Sequence, residues 1–560
     1  MNKTEKIWAA VLAAALVGYF AWRLLTPQPV PAPQPQQTVQ APAAPTVSTP
    51  VTLPQTNPAK PVVLTAAQER FYTLENEQVR LTFSDQGARL IKAEMLQYRT
   101  ENREDAPHVT LETDHLLNLT FEQAAPYLSY TAAQPKGDSL RFTATLPNGV
   151  ELTRTMTLQT DYMLNVQDTF RAPQQATLAP YQMSAGALTL PADAPGDALG
   201  ADFLAQGERK PEYCESQLGK ILGARSAFLG CGTSSDPAGV PLSGVQTFAA
   251  PQTWVALKNR FFVSLTMPAV GAPAALQVSR DGLAKTVRIE NVSAAFTYPA
   301  LQLQAGVPTE VATRLYIGPK KLGYLNAFGA HADAIMDFGF FSWVCKILLP
   351  ILNFFHALIP NYGVAIILLT LLVRLVFWPL THKSTVAMRK MSAIQPKIKA
   401  LQQQFKDQPQ KLQQETFKLY REHQVNPFSS CLPMLVQIPI FIALFVVLRS
   451  AIELRFASFL WISDLSQPEN LFAGVLPVPL NILPILTAVT MGLQTHLSPS
   501  TGDPAQKKMM TWMMPAMLLF MFYSMASALC LYWTVSQGLS ILQMWLIRRS
   551  TARAEAQQNA

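Results

Sequence analysis

The chain has 560 residues, more than one domain needs, and carries a formal net charge of +8 from 44 Lys and Arg against 36 Asp and Glu. Charged residues make up only 14%, against about 25% in ordinary soluble domains, while apolar residues reach 49%, which excludes a wholly soluble globular protein. The basic residues cluster beside hydrophobic runs without a base-stacking motif, so they read as topology signals and no nucleic-acid partner is expected.

Residues 7–25 form a first apolar segment behind Lys3 and Lys6. With neither a clean cleavage site nor a cysteine for lipoprotein processing, residues 1–26 are expected to be an uncleaved membrane anchor. Residues 27–61 are Pro, Gln, Ala and Thr, a composition that cannot bury a core and predicts a tether reaching on the order of 100 Å when extended. Residues 62–320 change character. Leu140, Phe142, Ala144 and Leu146 alternate with Arg141, Thr143 and Thr145; Pro147-Asn148-Gly149 then turns the chain into Val150, Leu152, Met156 and Leu158. Tyr162, Leu164 and Val166, and Val311, Thr313, Leu315 and Ile317, alternate in the same way. Helical periodicity is scarce, so a large all-β sandwich is predicted. Cys214 and Cys231 fall in this domain and form a candidate disulfide if it is exported. No cysteine spacing suits a metal, and no cofactor is expected.

Residues 321–361 include an aromatic segment, 340–358, interrupted by Lys346 and Pro350, which predicts a helix lying in the membrane interface. Spans are predicted over 362–381, 431–448 and 479–496. The run 509–547 would make about 60 Å of helix, twice the hydrocarbon thickness, so it must be two spans broken near 524–528. The loop 382–430 carries Lys383, Arg389, Lys390, Lys397, Lys399, Lys406, Lys411, Lys418 and Arg421 against Asp407, Glu415 and Glu422, which makes it cytoplasmic. With Arg548, Arg549 and Arg553 near the end, the charges fit six spans with both termini inside. The tether and β-domain then lie outside the inner membrane of a bacterium.

The basic loop is patterned. Met391, Ile394, Ile398, Leu401 and Phe405 share one helix face, residues 406–409 break it, and Leu412, Thr416, Leu419 and Tyr420 offer a matching stripe. Two antiparallel helices are predicted, either as a solvated spacer or as a mobile hairpin that recruits a ribosome or nascent chain. Within the spans the odd residue is Arg374. A cation at the centre of a span costs on the order of 3 kcal/mol on insertion scales and usually faces protein or water. It either snorkels toward the nearby end of its span or lines a polar groove with Thr370, one turn earlier. Pro433, Gln437 and Pro439 sit in the third span, and methionines from Met509 to Met525, Met521 among them, give the fifth a face suited to varied apolar partners or to filling a core. Phosphate-loop, HExxH and GxSxG motifs are absent, so no enzyme activity is expected.

The order of anchor, Pro-rich tether, β-domain and five-span core resembles the bacterial YidC-type membrane protein insertases. So do LLVRLVFWPLT around Arg374, IQPKIKALQQQF in the hairpin, VNPFSSCLPMLVQIPIFIALF at the third span and ELRFASFLWISDLS in the outer loop. The resemblance implies a periplasmic β-supersandwich without assigned catalysis. It implies a core over 362–550 with a short tail at 551–560, and a substrate groove formed by Arg374, Thr370, Cys431, Pro433, Met434, Gln437, Ile438, Met521, Tyr532 and Trp533. The partners it implies are nascent membrane proteins, the Sec translocon, a weakly held ribosome and membrane lipids. Where the family often has Pro-Ser-Gly between the fifth and sixth spans, this chain has Ala526-Ser527-Ala528, and its tail is only modestly basic. The alternatives are a small-solute transporter or channel, and a carbohydrate-active β-domain on a membrane anchor.

Overall fold

The computed structural model describes residues 69–121, 126–189, 199–213, 244–249, 252–268, 273–283, 288–406, 408–423, 432–475, 478–497 and 509–558. The expected anchor and tether, and Cys214, Cys231 and Cys431, lie outside the described residues.

Strands run from Phe71 to Pro319 in antiparallel sheets of nine, five, four and two strands among the described residues. The predicted hairpin is present: Ser139–Thr145 pairs with Glu151–Leu158, Leu140 opposite Met156. Its turn closes through the Gly149 amide on the Leu146 carbonyl (2.9 Å) and the Leu146 amide on the Val150 carbonyl (2.8 Å). Gly149 holds φ +77°, a left-handed conformation that glycine adopts without a Cβ clash. The strands Met163–Arg171 and Thr309–Pro319 continue the nine-stranded sheet, with Leu164 opposite Leu315 and Val166 opposite Thr313. The five-stranded sheet lies against it: Tyr181–Thr189 packs on Gln252–Lys258 and Phe262–Pro268, and the Thr313 hydroxyl reaches the Met183 sulfur at 3.7 Å. The result is the two-layer β-architecture that the alternation implies.

Strand parity also places a charge inside. Arg154 shares the inward face of Glu151–Leu158 with Leu152 and Met156, and it is fully buried. Asp168, directly opposite on the next strand, accepts from its Nε at 2.6 Å and from Nη2 at 2.8 Å. Nη1 donates to the carbonyls of Leu117 (2.5 Å) and Ala88 (3.3 Å), which flank strands of the four-stranded sheet. One guanidinium therefore stitches two sheets together. Removing it would strand a buried carboxylate, so Arg154→Ala should cost about 3–5 kcal/mol in urea unfolding of the full-length protein. A loss below 1 kcal/mol would show that water already satisfies Asp168.

Helix α1 (Leu322–Phe328) leaves the last strand and docks on the domain, where the Trp254 indole donates to the Ala330 carbonyl at 2.8 Å and Arg314 Nη2 to the Phe328 carbonyl at 3.1 Å. Helix α2 (Ser342–Leu358) is two-faced. Cys345, Leu348, Leu349 and Leu352 are buried, whereas Trp343, Ile347, Phe354 and Leu358 are exposed. Lys346, which interrupts the apolar run, is paired with Asp333 at 2.5 Å.

Helix α3 (Tyr362–Gln404) departs from the expected separation between a span ending at 381 and a hairpin helix beginning beyond it. It runs unbroken through Pro379 and Pro396 for 43 residues, about 64 Å. Pro379 leaves the Leu375 carbonyl without its amide, but the neighbouring turn is reinforced by the Thr381 hydroxyl, which donates to the carbonyls of Phe377 and Trp378, both at 3.1 Å. Helix α4 (Pro409–Glu422) folds back, and the expected stripes meet: Met391, Ile394 and Ile398 form a small core against Leu419 and Tyr420. Then come α5 (Leu432–Ser450) and α6 (Ile482–Leu497). After them α7 (Met514–Phe522) and α8 (Ser527–Gln558) are separated at residues 523–526, where the expected break lies. Helix α8 continues through most of the expected tail 551–560. By length and composition, Gly339–Leu358 and Tyr362–Gln404 are apolar and long enough to cross a membrane, and Gln437–Ser450, Ile482–Leu497 and Thr511–Phe522 are shorter apolar helices.

Where the helices meet the β-domain, Glu453 follows α5 with its Oε2 buried and unpartnered. Burial raises its carboxyl above the ordinary range, against the opposing pull of Lys321 and Asn353. A folded-state value above the unfolded one gives stability that is complete below the unfolded pKa and is lost as pH rises through the folded pKa. Glu453→Gln should therefore flatten the fall in thermal midpoint between mildly acidic and neutral pH. An identical pH profile for the variant would rule Glu453 out as its source.

Candidate functional site

The lengthwise contact of α3 and α8 sets the site. Arg374 Nε and Nη2 both donate to the Ser536 hydroxyl, at 3.1 and 2.5 Å. Seven residues further along each helix, Gln543 Nε2 donates to the Thr381 hydroxyl at 2.9 Å. Equal steps in the same direction mean that the two helices run parallel, with polar rungs about 10 Å apart. The guanidinium is thus tied to a neighbouring helix and does not snorkel. Among the described residues no carboxylate pairs with it, so its charge is solvated by dipoles alone.

Around these rungs lies a cavity of about 240 Å³ lined by α3, α5, α6 and α8. Helix α3 contributes Arg374, Thr381, Thr385 and Met388, one stripe about 21 Å long that descends toward the hairpin. Helix α8 contributes Trp533, Ser536, Gln537, Ser540, Gln543 and Met544, while α5 gives Gln437 and α6 gives Gln494. Arg374 is the one ionisable group in this lining. Gln437 Nε2 donates to the Tyr532 hydroxyl at 2.7 Å, which ties α5 to α8 one turn before Ser536. Trp533 packs edge-on against Phe441, centroids 4.8 Å apart, and its buried indole N–H has no hydrogen-bond partner. The cavity therefore presents a cation amid neutral polar side chains, an arrangement suited to accept carboxylates or backbone carbonyls.

Of the residues expected at the groove, Arg374, Gln437 and Trp533 come together on its wall and Tyr532 is buried behind it. Thr370 does not pair with Arg374. It is buried, and its hydroxyl is taken by the Ile366 carbonyl at 2.6 Å, the back-bond that threonine makes within a helix. Ile438 is exposed and Met521 half-buried, and neither lines the cavity. Pro433 and Met434 belong to α5, and Cys431 lies outside the described residues. The residues missed are Ser536, Gln537, Ser540 and Gln543, whose three- and four-residue spacing marks a polar face on an otherwise apolar run.

At the end of α3 opposite the hairpin, the connection between α5 and α6 ties the helices together. Ser527 donates to the Gln467 carbonyl from its amide (2.8 Å) and hydroxyl (2.7 Å), and the Ala528 amide donates to the Leu465 carbonyl (2.9 Å), so Ala526-Ser527-Ala528 still makes a tight reversal. Glu469 accepts the first amides of α6, from Ile482 and, at 2.9 Å, Leu483. Asn361 caps α3 through the Val364 amide (3.1 Å) and donates to the Ser458 carbonyl (3.2 Å), and Gly363 lies against the Phe459 ring so closely that a Cβ there would overlap it.

Comparisons with known proteins point to one family. Residues 354–555 match the family described as 60Kd inner membrane protein, and residues 72–198 and 238–351 match the YidC periplasmic domain family. A membrane protein insertase YidC of Syntrophobacter fumaroxidans is 32% identical, covering 93% of this chain and 95% of the relative. That of Geobacter metallireducens is 30% identical, covering 99% and 100%. A crystal structure of an active YidC insertase aligns at 20% identity and a TM-score of 0.35, covering 86% of this chain and 93% of that one.

If Ser536 holds the guanidinium, Ser536→Ala should lower the stability of the solubilised protein by about 1.5–3 kcal/mol, the worth of a hydrogen bond to a charged group, and Ser536→Thr should restore most of it. Equal thermal midpoints for all three proteins would mean that the contact carries no energy.

Proposed function

The chain belongs to the YidC family of membrane protein insertases, and we propose that its polar cavity is the groove in which Arg374 receives hydrophilic segments of nascent membrane proteins before their apolar segments pass sideways into lipid. The observation that carries this is a cation held open: Ser536 fixes its direction, no acid among the described residues neutralises it, and the cavity beside it has room for a guest. Arg374 lies twelve residues into α3, about 18 Å from its outer end, just past the middle of a hydrocarbon layer about 30 Å thick. In that low-dielectric setting its attraction for an acidic or carbonyl-rich segment exceeds what water would allow.

The apolar segment supplies the drive. Moving about 20 residues into lipid yields roughly 0.8 kcal/mol per buried methylene, so the step itself needs no nucleotide. The membrane potential adds about 2.3 kcal/mol per charge per 100 mV for acidic tails carried outward. Cys431, Pro433, Met434, Ile438 and Met521 are read as the path of the apolar segment. Thr370, with its hydroxyl engaged, is assigned to packing beneath Arg374.

As a YidC protein the chain is an inner-membrane protein with a periplasmic β-domain. The finer reading is six spans with both termini inside. The parallel course of α3 and α8 supports it, because the second and sixth spans of such a chain cross in the same direction. Helix α2 is read as interfacial, for its exposed face is Trp343, Ile347, Phe354 and Leu358. Leu371, Leu375, Val376 and Trp378, exposed on α3, are read as facing lipid. The Sec translocon and the ribosome are assigned as partners, the latter through the basic hairpin and tail. A small-solute transporter is not favoured, since the relatives are insertases.

The test is insertion of a short single-span substrate into vesicles. Losing a charge-assisted contact of about 1.5–3 kcal/mol, Arg374→Ala should slow insertion roughly ten- to a hundredfold, with Arg374→Lys retaining most activity. Wild-type rates from both variants would reject an electrostatic groove.

A further inference from the structure

The connection between α5 and α6 has two apolar tips that no described residue covers. In the first, Phe459 and Ile462 exchange both backbone hydrogen bonds at 2.9 Å, and between them Leu460 is 75% and Trp461 41% exposed. The second is bracketed by the Leu471–Leu480 bridge and exposes Phe472, Val475, at 80%, and Val478. Leu460 and Phe472 sit at φ +52° and +57°, a left-handed conformation that costs a non-glycine residue on the order of 1 kcal/mol. Apolar side chains are thus held outward by strained backbone.

The other side of the connection is occupied. Ile462 and Leu465 are buried, and the β-domain grips the backbone between the tips, Arg260 Nη2 donating to the Ser466 carbonyl at 2.7 Å and Asn102 Nδ2 to the Ser463 carbonyl at 3.2 Å. The occupant of the free side follows from position and charge. The connection begins at the end of α5, Ser450, and ends at the start of α6, Ile482, so both tips stand where two spans leave the hydrocarbon. Residues 470–480 contain no charged side chain, and an indole beside leucine is the pairing found where headgroups meet acyl chains.

We propose that these tips are a lipid anchor, with Leu460, Trp461, Phe472, Val475 and Val478 seated at the headgroup–acyl boundary of the outer leaflet. The proposal goes beyond the groove and rests on α5 and α6 being spans whose connection faces outward. Through Arg260 and Asn102 the anchor also fixes the height of the β-domain above the membrane.

The full-length protein, carrying an environment-sensitive fluorescent amino acid in place of Leu460 or Val475, is reconstituted into vesicles of phosphatidylethanolamine and phosphatidylglycerol. Lipids brominated near the glycerol end of the acyl chain should quench both positions several-fold more than aqueous iodide does. Quenching by iodide without quenching by lipid would overturn the anchor, and protection from both would do so too, because protein would then cover the tips. Access of a membrane-impermeant reagent to the β-domain in spheroplasts tests the orientation separately. An inaccessible β-domain would sink the outward assignment while leaving the lipid quenching result intact.

Discussion

A cation inside an apolar slab has to be solvated by something, and here protein dipoles do it. The two donor contacts from Arg374 to Ser536 fix the register of α3 against α8, and the Gln543–Thr381 rung one heptad below follows from that register. Once both rungs are set, Thr385, Ser540 and Gln537 fall on the same wall and a polar cavity is unavoidable. An acidic partner in place of Ser536 would have solvated the charge better and spent it, leaving nothing for a guest to bind.

The end opposite the hairpin is a different kind of structure. It is made of backbone carbonyls and short caps, with Gln467, Leu465 and Glu469 taking up the amides that helix starts and reversals leave free and Asn481 donating to the Tyr523 carbonyl. Such contacts are individually modest, but together they join α3, α6 and the α7–α8 reversal to one connection. The cavity lies between this end and the hairpin, its α3 wall running from Arg374 to Met388.

Much of this was legible in the sequence. Charge in an apolar run exposed Arg374, two-residue alternation exposed the hairpin at Asn148-Gly149, and matched stripes exposed the packing of Met391, Ile394 and Ile398 on Leu419 and Tyr420. The rest was hidden for physical reasons. Serine and glutamine cost little in a span, so Ser536, Ser540 and Gln543 did not interrupt the apolar run and only their period betrays them. The change from apolar to basic residues after 381 reads as the end of a span, which concealed the continuity of α3 beyond it. Arg154 showed the opposite ambiguity: parity pointed it inward and its charge argued outward, and only Asp168 on the neighbouring strand resolves the conflict.

The length of α3 has a mechanical consequence. Its first turn is pinned by Asn361 and by the Phe459 ring against Gly363, so a tilt of the helix would pivot near that end. Its far end, Gln404, lies about 63 Å from the pin and Arg374 about 18 Å, a lever ratio between three and four. A sway of about 3 Å at the hairpin then displaces the guanidinium by less than about 1 Å. A tilt at the hairpin thus reaches the charge much reduced.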